Sequence, residues 1–449
     1  MRIAQDSKDL PGKWYNIIPD LDFDIPLPMG SSGYPLSYHD LEPVASSALI
    51  DQELERNIHE FSIPREVAAI YSDWRPTPLY RAEKLEQSLG TPAHIFYKYE
   101  GVSPSGGHEM NTAVPQAYYA TLDEGVKRLV TATANGEWGI SLAIACNYFG
   151  IQCKIYMVRS SYDQKVHGRY AMEMLGAEVV PSPSDKTGAG KKILSQDSNS
   201  PGSLGIALSE AFEEARSRDD TKFSWGTVMN HVLLHQTVIG LEARLQLRRA
   251  DAKPDIIISS VGGGSAFGGL IFPFYKERDQ EIKMIAVETA AAPSLSNGRY
   301  AYDYGDAEGL SPLLKMYTLG HSFVPPGIRA GGLRYHGISP LISALYREKQ
   351  IEARSYTQRQ VIAAATDFAR AEGMIPSPEC SYAVRAVLDE ALDCKQKKKS
   401  KNIFFLMDAS SNFDLAAFRD FVDEVVEDQP SLDKEVQTAL SQLPEVPAH

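Results

Sequence analysis

An α/β protein with two α/β domains is predicted by three observations. From Ala93 onward, short β-prone runs alternate with longer helical patterns, the rhythm of strand–helix–strand units on a mostly parallel sheet. The β-prone runs are largely apolar, as expected of strands covered on both faces. The chain has 449 residues, more than one core of ordinary size supports.

The first 60 residues are rich in Pro, Asp and aromatics (Trp14, Tyr15, Phe23, Pro26, Tyr34) without a clear period, and predict an extension packed on a globular body. Strands are expected at His94–Tyr99, Arg128–Thr131, Cys153–Val158, Asp255–Ser259, Lys283–Val287 and Asn402–Leu406. Helices are expected at Thr112–Leu122, Ile140–Tyr148, Lys165–Leu175, Leu204–Arg216, His231–Arg248 and Gln358–Ala371. The stretch Thr187–Gly205 is dense in Gly, Ser, Asp and Pro and reads as a long surface loop. A boundary is placed where the helical run ends in Arg248-Arg-Ala-Asp-Ala-Lys-Pro254. The expected division is therefore 1–60 as an extension, 61–245 as an amino-terminal domain with a mobile subregion, and 246–449 as a carboxyl-terminal domain.

Lys and Arg total 45 against 58 Asp and Glu, a net charge of −13, with no strongly basic tract suited to a phosphate backbone. Nucleic acid is not an expected partner. No run of about eighteen apolar residues occurs, so no membrane span is expected. The four cysteines form no C-x-x-C pair, and with no secretory pattern at the amino end they fit a reducing cytoplasm. The basic run Cys394–Lys401 precedes an apolar strand and reads as a solvated turn.

Val261-Gly-Gly-Gly-Ser265 follows an apolar strand and precedes a helix-compatible stretch. Consecutive glycines let backbone N–H groups approach an anion, and a helix amino end adds its positive dipole. The string suits a phosphate cradle or an empty strand-to-helix turn equally. Thr187-Gly-Ala-Gly-Lys191 lacks the spacing of a nucleotide-binding loop, with Lys192 where Ser or Thr is required. His231 and His235 share a helix face, but Val232 stands where a zinc protease carries Glu, so no metal site is expected. Ser105-Gly-Gly-His-Glu-Met-Asn-Thr112 carries His108, Glu109 and Asn111 through a strand-to-helix junction, where open α/β sheets place ligands.

With Trp74-Arg-Pro-Thr-Pro-Leu79, Tyr97-Lys-Tyr-Glu-Gly-Val-Ser-Pro104, Asn111-Thr-Ala-Val-Pro-Gln-Ala-Tyr118, Asn230–Gly240, Gly331–Gly337 and Glu372-Gly-Met-Ile-Pro376, these strings resemble the tryptophan synthase β-subunit family, in its longer second branch, nearly end to end. The resemblance implies a type II pyridoxal-phosphate fold with the cofactor between two α/β domains. Members join indole to a unit made from serine. It further implies that Gly262, Gly263, Gly264 and Ser265 hold the phosphate. His108 would lie at the phosphate end of the ring, Asn111 opposite its phenolic oxygen, and Glu379 along its flank. Family members are dimers, so a homodimer acting on a small molecule is expected.

Departures from the family pattern fall on the chemistry. The family's S-G-S-H-K-x-N has Glu109 in place of the lysine that joins the cofactor. T-E-T-G-A-G-Q-W-G becomes Thr131-Ala-Thr-Ala-Asn-Gly-Glu-Trp-Gly139, which replaces Glu by Ala132 and Gln by Glu137. In Met407–Asp414, Asp408 stands where the family's serine meets the pyridine nitrogen. Two carboxylates a few ångströms apart repel by about 4 kcal/mol at the effective dielectric of a protein surface. The leading expectation is an enzyme without a covalent cofactor. Glu109 would be its acid/base, with His108, Glu137 and Asp408 catalytic, and it would isomerise, cyclise, eliminate or condense a small aromatic or cationic molecule in specialised metabolism. No covalently bound cofactor is expected, and the retained cradle could hold pyridoxal phosphate or another phosphate-bearing ligand, or be kept for the fold alone. The alternatives are a pyridoxal-phosphate-dependent lyase or β-replacement enzyme, and a catalytically silent subunit.

Overall fold

A computed structural model describes residues 1–4, 6–30, 33–164, 166–275, 282–411, 415, 418–419, 428 and 432–445. The end of the Met407–Asp414 string (Asn412, Phe413, Asp414) and the first residue of the helix expected from Lys165 lie outside them.

Two sheets organise the chain. One has six strands in the order Glu352–Tyr356, Lys283–Thr289, Ile256–Ser260, Asn402–Met407, His94–Tyr99 and Leu79–Arg81. All of its pairings are parallel except the last. The other has four parallel strands in the order Glu178–Ser182, Gln152–Val158, Arg128–Thr133 and Thr221–Phe223. The central strands Ile256–Ser260 and Asn402–Met407 are buried almost throughout, which explains their near-continuous apolar sequence.

The expected cut near residue 245 needs correction. Leu79–Arg81 and His94–Tyr99 belong to the sheet otherwise built from residues after 255, so 61–245 is not a unit with its own sheet alone. The chain leaves the six-stranded sheet after Tyr99 and returns at Ile256. The cause is long-range pairing, as His94–Tyr99 lies in register with Asn402–Met407.

Gly188–Gln196, expected as loop, is a helix. Thr187 Oγ1 accepts from Gly190 N, and the Glu213 carboxylate accepts from Gly188 N and Ala189 N. These bonds satisfy the first N–H groups of a helix that its own sequence propensity does not favour. The expected helix His231–Arg248 divides into Asn230–Gln236 and Val238–Arg249 at Thr237, whose hydroxyl donates to Leu234 O. The amino-terminal extension is anchored by pairing of Lys13–Tyr15 with Glu60–Ser62. Trp14, fully buried, packs its ring 4.5 Å from that of His235.

Candidate active site

The carboxyl ends of strands in both sheets open into one cleft with a solvent-accessible volume of about 150 Å³. From the four-stranded sheet come Ala132 to Asn135 with Glu137 and Trp138, and from the six-stranded sheet come Ser260, Gly262 to Ala266 and Asp408. This is where parallel sheets expose ligands. One wall is apolar, with Leu204, Leu208, Phe212 and Trp225.

The cradle follows from close approach. A Cβ on Gly262 would lie 2.3 Å from Gly332 O, and one on Gly263 would lie 2.2 Å from Thr227 Oγ1. Gly264 has φ +100°. Only glycine fits such positions. The turn leads into Ser265–Tyr275, whose amino-terminal N–H groups and dipole favour an anion. Thr227 Oγ1, also at the cleft wall, is buried without a hydrogen-bond partner. A phosphate would use these groups, so the cradle fits the phosphate end of a phosphate-bearing ligand.

Glu109 lines the same cleft. The preceding turn is pinned by Ser103 Oγ, which donates to Gly107 O at 2.6 Å and accepts from Gly107 N at 3.0 Å. It docks on the end of Asn402–Met407 through His108 N to Asp408 O at 2.9 Å and Ser410 N to Gly106 O at 2.7 Å. Glu109 then sits at the amino end of Met110–Ala120, 8% exposed, and lines the cleft. Its Oε2 lies 3.6 Å from His108 Nδ1, near enough for charge attraction but too far for a hydrogen bond, and neither atom has a hydrogen-bond partner. Burial pushes the Glu109 carboxyl up, His108 opposes this, and Asp408 adds to it. A Cβ on Gly107 would lie 2.4 Å from Glu109 Oε2, so the glycine makes room for the carboxylate.

The other carboxylates converge on the same space. Asn135 Nδ2 donates to Glu137 Oε2 at 2.9 Å and to Glu379 Oε1 at 3.4 Å, and Gly332 N donates to Glu379 Oε1 at 2.9 Å. Asp408 accepts from Cys380 Sγ at 2.8 Å and Ser260 Oγ at 3.1 Å. Burial and the neighbouring Asp408 push the Cys380 thiol well up, which keeps it a neutral donor.

The structure thus brings together Glu109, His108, Glu137, Asp408, Glu379 and Gly262 to Ser265. Asn111 is a correction, since it is absent from the cleft wall. Its Nδ2 donates to Glu100 Oε2 and Gln236 Oε1, and its Oδ1 accepts from Arg75 Nε. Fully buried and saturated by this network, it cannot face a ligand. Asn135, Thr227 and Gly332 were missed. Gly332 sits in the recognised string Gly331–Gly337, whereas nothing local marks Thr227. The two histidines that share a helix face are used elsewhere: His231 Nδ1 meets Glu53 at 2.8 Å, and His235 Nε2 meets Gln52 at 2.8 Å.

No lysine or arginine among the described residues lines the cleft. Lys98 is fully buried, with Nζ donating to Thr77 O, Glu242 Oε2 and Gln246 Oε1 at 2.7 to 2.9 Å. The site therefore fits a phosphate but not the covalent anchoring of an aldehyde cofactor through a described wall residue.

Residues 70–408 match the family described as "Pyridoxal-phosphate dependent enzyme". A relative from Methanosarcina mazei, "Tryptophan synthase beta chain 2", is 49% identical over 421 residues, covering 93% of this chain and 95% of its own. One of the same name from Aquifex aeolicus is 51% identical over 417 residues, covering 91% and 96%. Among solved structures, a fungal L-serine ammonia-lyase from Rhizomucor miehei superposes with a TM-score of 0.58 at 16% identity, covering 78% of this chain and 98% of its own. O-acetyl serine sulfhydrylase isoform 3 from Entamoeba histolytica gives 0.58 at 18%, covering 84% and 98%. These similarities bear out the expected fold and resemblance. The relatives' names favour the pyridoxal-phosphate-dependent alternative over a reaction without a covalent cofactor. With a match over most of its length and relatives near half identity, the chain belongs to the pyridoxal-phosphate-dependent enzyme family, in the tryptophan synthase β-chain group with the type II fold.

Proposed function

We propose that this protein is a tryptophan-synthase-β-like enzyme that carries out proton transfer on a small molecule held without a covalent bond to any lysine. The observation that carries this reading is Glu109: it lies on the cleft wall, in a space made by Gly107, and no described lysine lines the cleft, whereas the family resemblance would put a lysine at that position. A raised carboxyl holds a proton closer to neutral pH than an ordinary glutamate does, which suits an acid/base. Glu109 Oε2 would give or take the proton, and His108 Nδ1 at 3.6 Å would share it once a ligand draws the two together. Glu137, Glu379 and Asp408 would orient the substrate, and the glycine turn would bind its anionic end. Isomerisation, cyclisation, elimination and condensation can each be driven by proton transfer to or from a positioned acid/base. A homodimer and a cytoplasmic setting belong to the same proposal. No helix among the described residues is long and apolar enough to cross a membrane.

A second reading, a pyridoxal-phosphate-dependent lyase or β-replacement enzyme, is favoured by the identity of 49 to 51% to proteins named for tryptophan synthesis. It requires a nitrogen nucleophile to meet the carbonyl of the cofactor, which when bound would supply an electron sink for the substrate. One experiment separates the two. The protein is mixed with pyridoxal phosphate, reduced with borohydride and mapped by mass spectrometry. No lysine adduct in the cleft is expected, and one found there would overturn the first reading in favour of the second.

A further inference from the structure

The cleft's charges are one-sided. Glu109, Glu137, Glu379 and Asp408 line it with no Lys or Arg among the described wall residues. Asp408 takes its hydrogen bonds from neutral donors, the Ser260 hydroxyl and the Cys380 thiol. Glu109 Oε2 is itself buried, on a residue 8% exposed, and has no hydrogen-bond partner. A buried acceptor in that state calls for a donor from the ligand.

The opposite need exists elsewhere in the same cleft. The Gly262–Gly264 turn, the start of Ser265–Tyr275 and the unpartnered Thr227 Oγ1 form a concavity with donors but no acidic side chain of its own. The two halves are joined by short links. Gly262 abuts Gly332, Gly332 N bonds Glu379, and Asp408 takes a hydrogen bond from Ser260, two residues before the turn. One small ligand spanning the cleft would meet both.

Resting on the reading above, we infer that the ligand is a phosphorylated amine, with its phosphate in the Gly262–Ser265 turn and a protonated amine facing Glu109 and the neighbouring carboxylates. The polarity is the reverse of an amine-bearing protein holding an aldehyde: here the protein offers the acid and the ligand carries the nitrogen. The aromatic and aliphatic wall at Phe212, Trp225 and Leu208 covers an apolar body between the two ends.

Isothermal titration tests this with pyridoxamine phosphate, pyridoxal phosphate, pyridoxamine and inorganic phosphate on the full chain. A charge-assisted hydrogen bond is worth about 10- to 100-fold in affinity. Pyridoxamine phosphate is expected to bind at least about 10-fold tighter than the aldehyde form and than either fragment. Glu109→Gln erases the preference for the amine and leaves inorganic phosphate binding unchanged. Thr227→Val weakens both phosphorylated ligands alike. Circular dichroism checks that each variant folds, and Glu137→Gln, expected to reduce the same preference, serves if Glu109→Gln does not fold. Equal affinity for amine and aldehyde, no binding of any probe, or a preference that survives Glu109→Gln or its substitute would overturn the inference. A borohydride-reduced lysine adduct would instead overturn the reading beneath it, so the two failures are distinguishable.

Discussion

Gly107→Ala is the sharpest perturbation of this site, because the glycine is required by the carboxylate rather than by the backbone. A Cβ at position 107 would sit 2.4 Å from Glu109 Oε2, and ordinary van der Waals contact begins at 3.4 Å, so the oxygen must retreat by about 1 Å. The backbone cannot yield in its place. It is held by Ser103 Oγ on both sides of the peptide and by a bridge to Ala409. Overpacking of a well-filled site costs about 1–3 kcal/mol, and the free end of a side chain places this case at the lower limit. Misplacing a reacting group by about 1 Å costs on the order of 100-fold in rate or transition-state binding. Function is thus expected to fall far more than stability.

The assay is a double-mutant cycle read by titration with pyridoxamine phosphate and by thermal unfolding. In the Glu109→Ala background, nothing remains for the new methyl group to strike, so Gly107→Ala is expected to change neither affinity nor melting temperature. In the native background it is expected to lower affinity toward that of Glu109→Gln. If Gly107→Ala costs the same in both backgrounds, the glycine serves the turn alone and the steric argument is refuted.

Three other outcomes follow from buried charges. Lys98→Met leaves Glu242 short of a partner in a fully buried network, and removal of one member of such a pair costs about 3–5 kcal/mol; urea unfolding measures this, and any borohydride labelling by pyridoxal phosphate is expected to be unaltered. Glu288 is buried and held up to about 7 by desolvation, so its folded value lies above the unfolded 4.5. The stability it contributes is complete below about 4.5 and lost as pH rises through about 7, on the order of 3 kcal/mol in all, so Glu288→Gln is expected to flatten the stability–pH curve across that window. Glu109 is raised in the same direction, so Glu109→Gln is expected to gain on the native protein as pH rises above the unfolded value; a gap that does not change with pH would contradict the burial of that carboxyl.

Much of this architecture is legible in the chain because local pattern and final environment agree. Asn402–Met407 is an unbroken apolar run and becomes a central strand buried on both faces. His94–Tyr99 is equally plain as a strand, but its parallel neighbour in the sheet lies some three hundred residues away, and no local pattern states that pairing. The helix Gly188–Gln196 is hidden for a related reason: its sequence favours a turn, and the carboxylate that caps it belongs to Glu213 in another helix. At the site, Glu109 and Asn111 look alike as polar residues at one junction. They stand two positions apart at a helix start, however, and residues at that spacing do not share a face. Glu109 therefore turns to the cleft and Asn111 to the core. Thr227 is invisible for want of any motif, since its significance arises only from the approach of Gly263.

The contrast between two sets of charges gives the acidic cleft its meaning. A few residues from Glu109, Asn111 touches a network in which Arg75 and Lys98 balance Glu100 and Glu242, every member fully buried. The fold can therefore bury carboxylates and neutralise them with its own cations, as buried charges require. In the cleft, Asp408 meets the neutral donors Ser260 and Cys380, and Glu109 faces a histidine instead. Self-repulsion among the cleft carboxylates lowers the stability of the empty protein, and a cation that binds only the folded state recovers it by mass action. A phosphorylated amine should accordingly raise the melting temperature more than phosphate at equal saturation, and that excess should vanish in Glu109→Gln. Equal shifts from the two compounds would mean that the carboxylates are already neutral by protonation, and that the positive charge they await is a proton rather than a substrate.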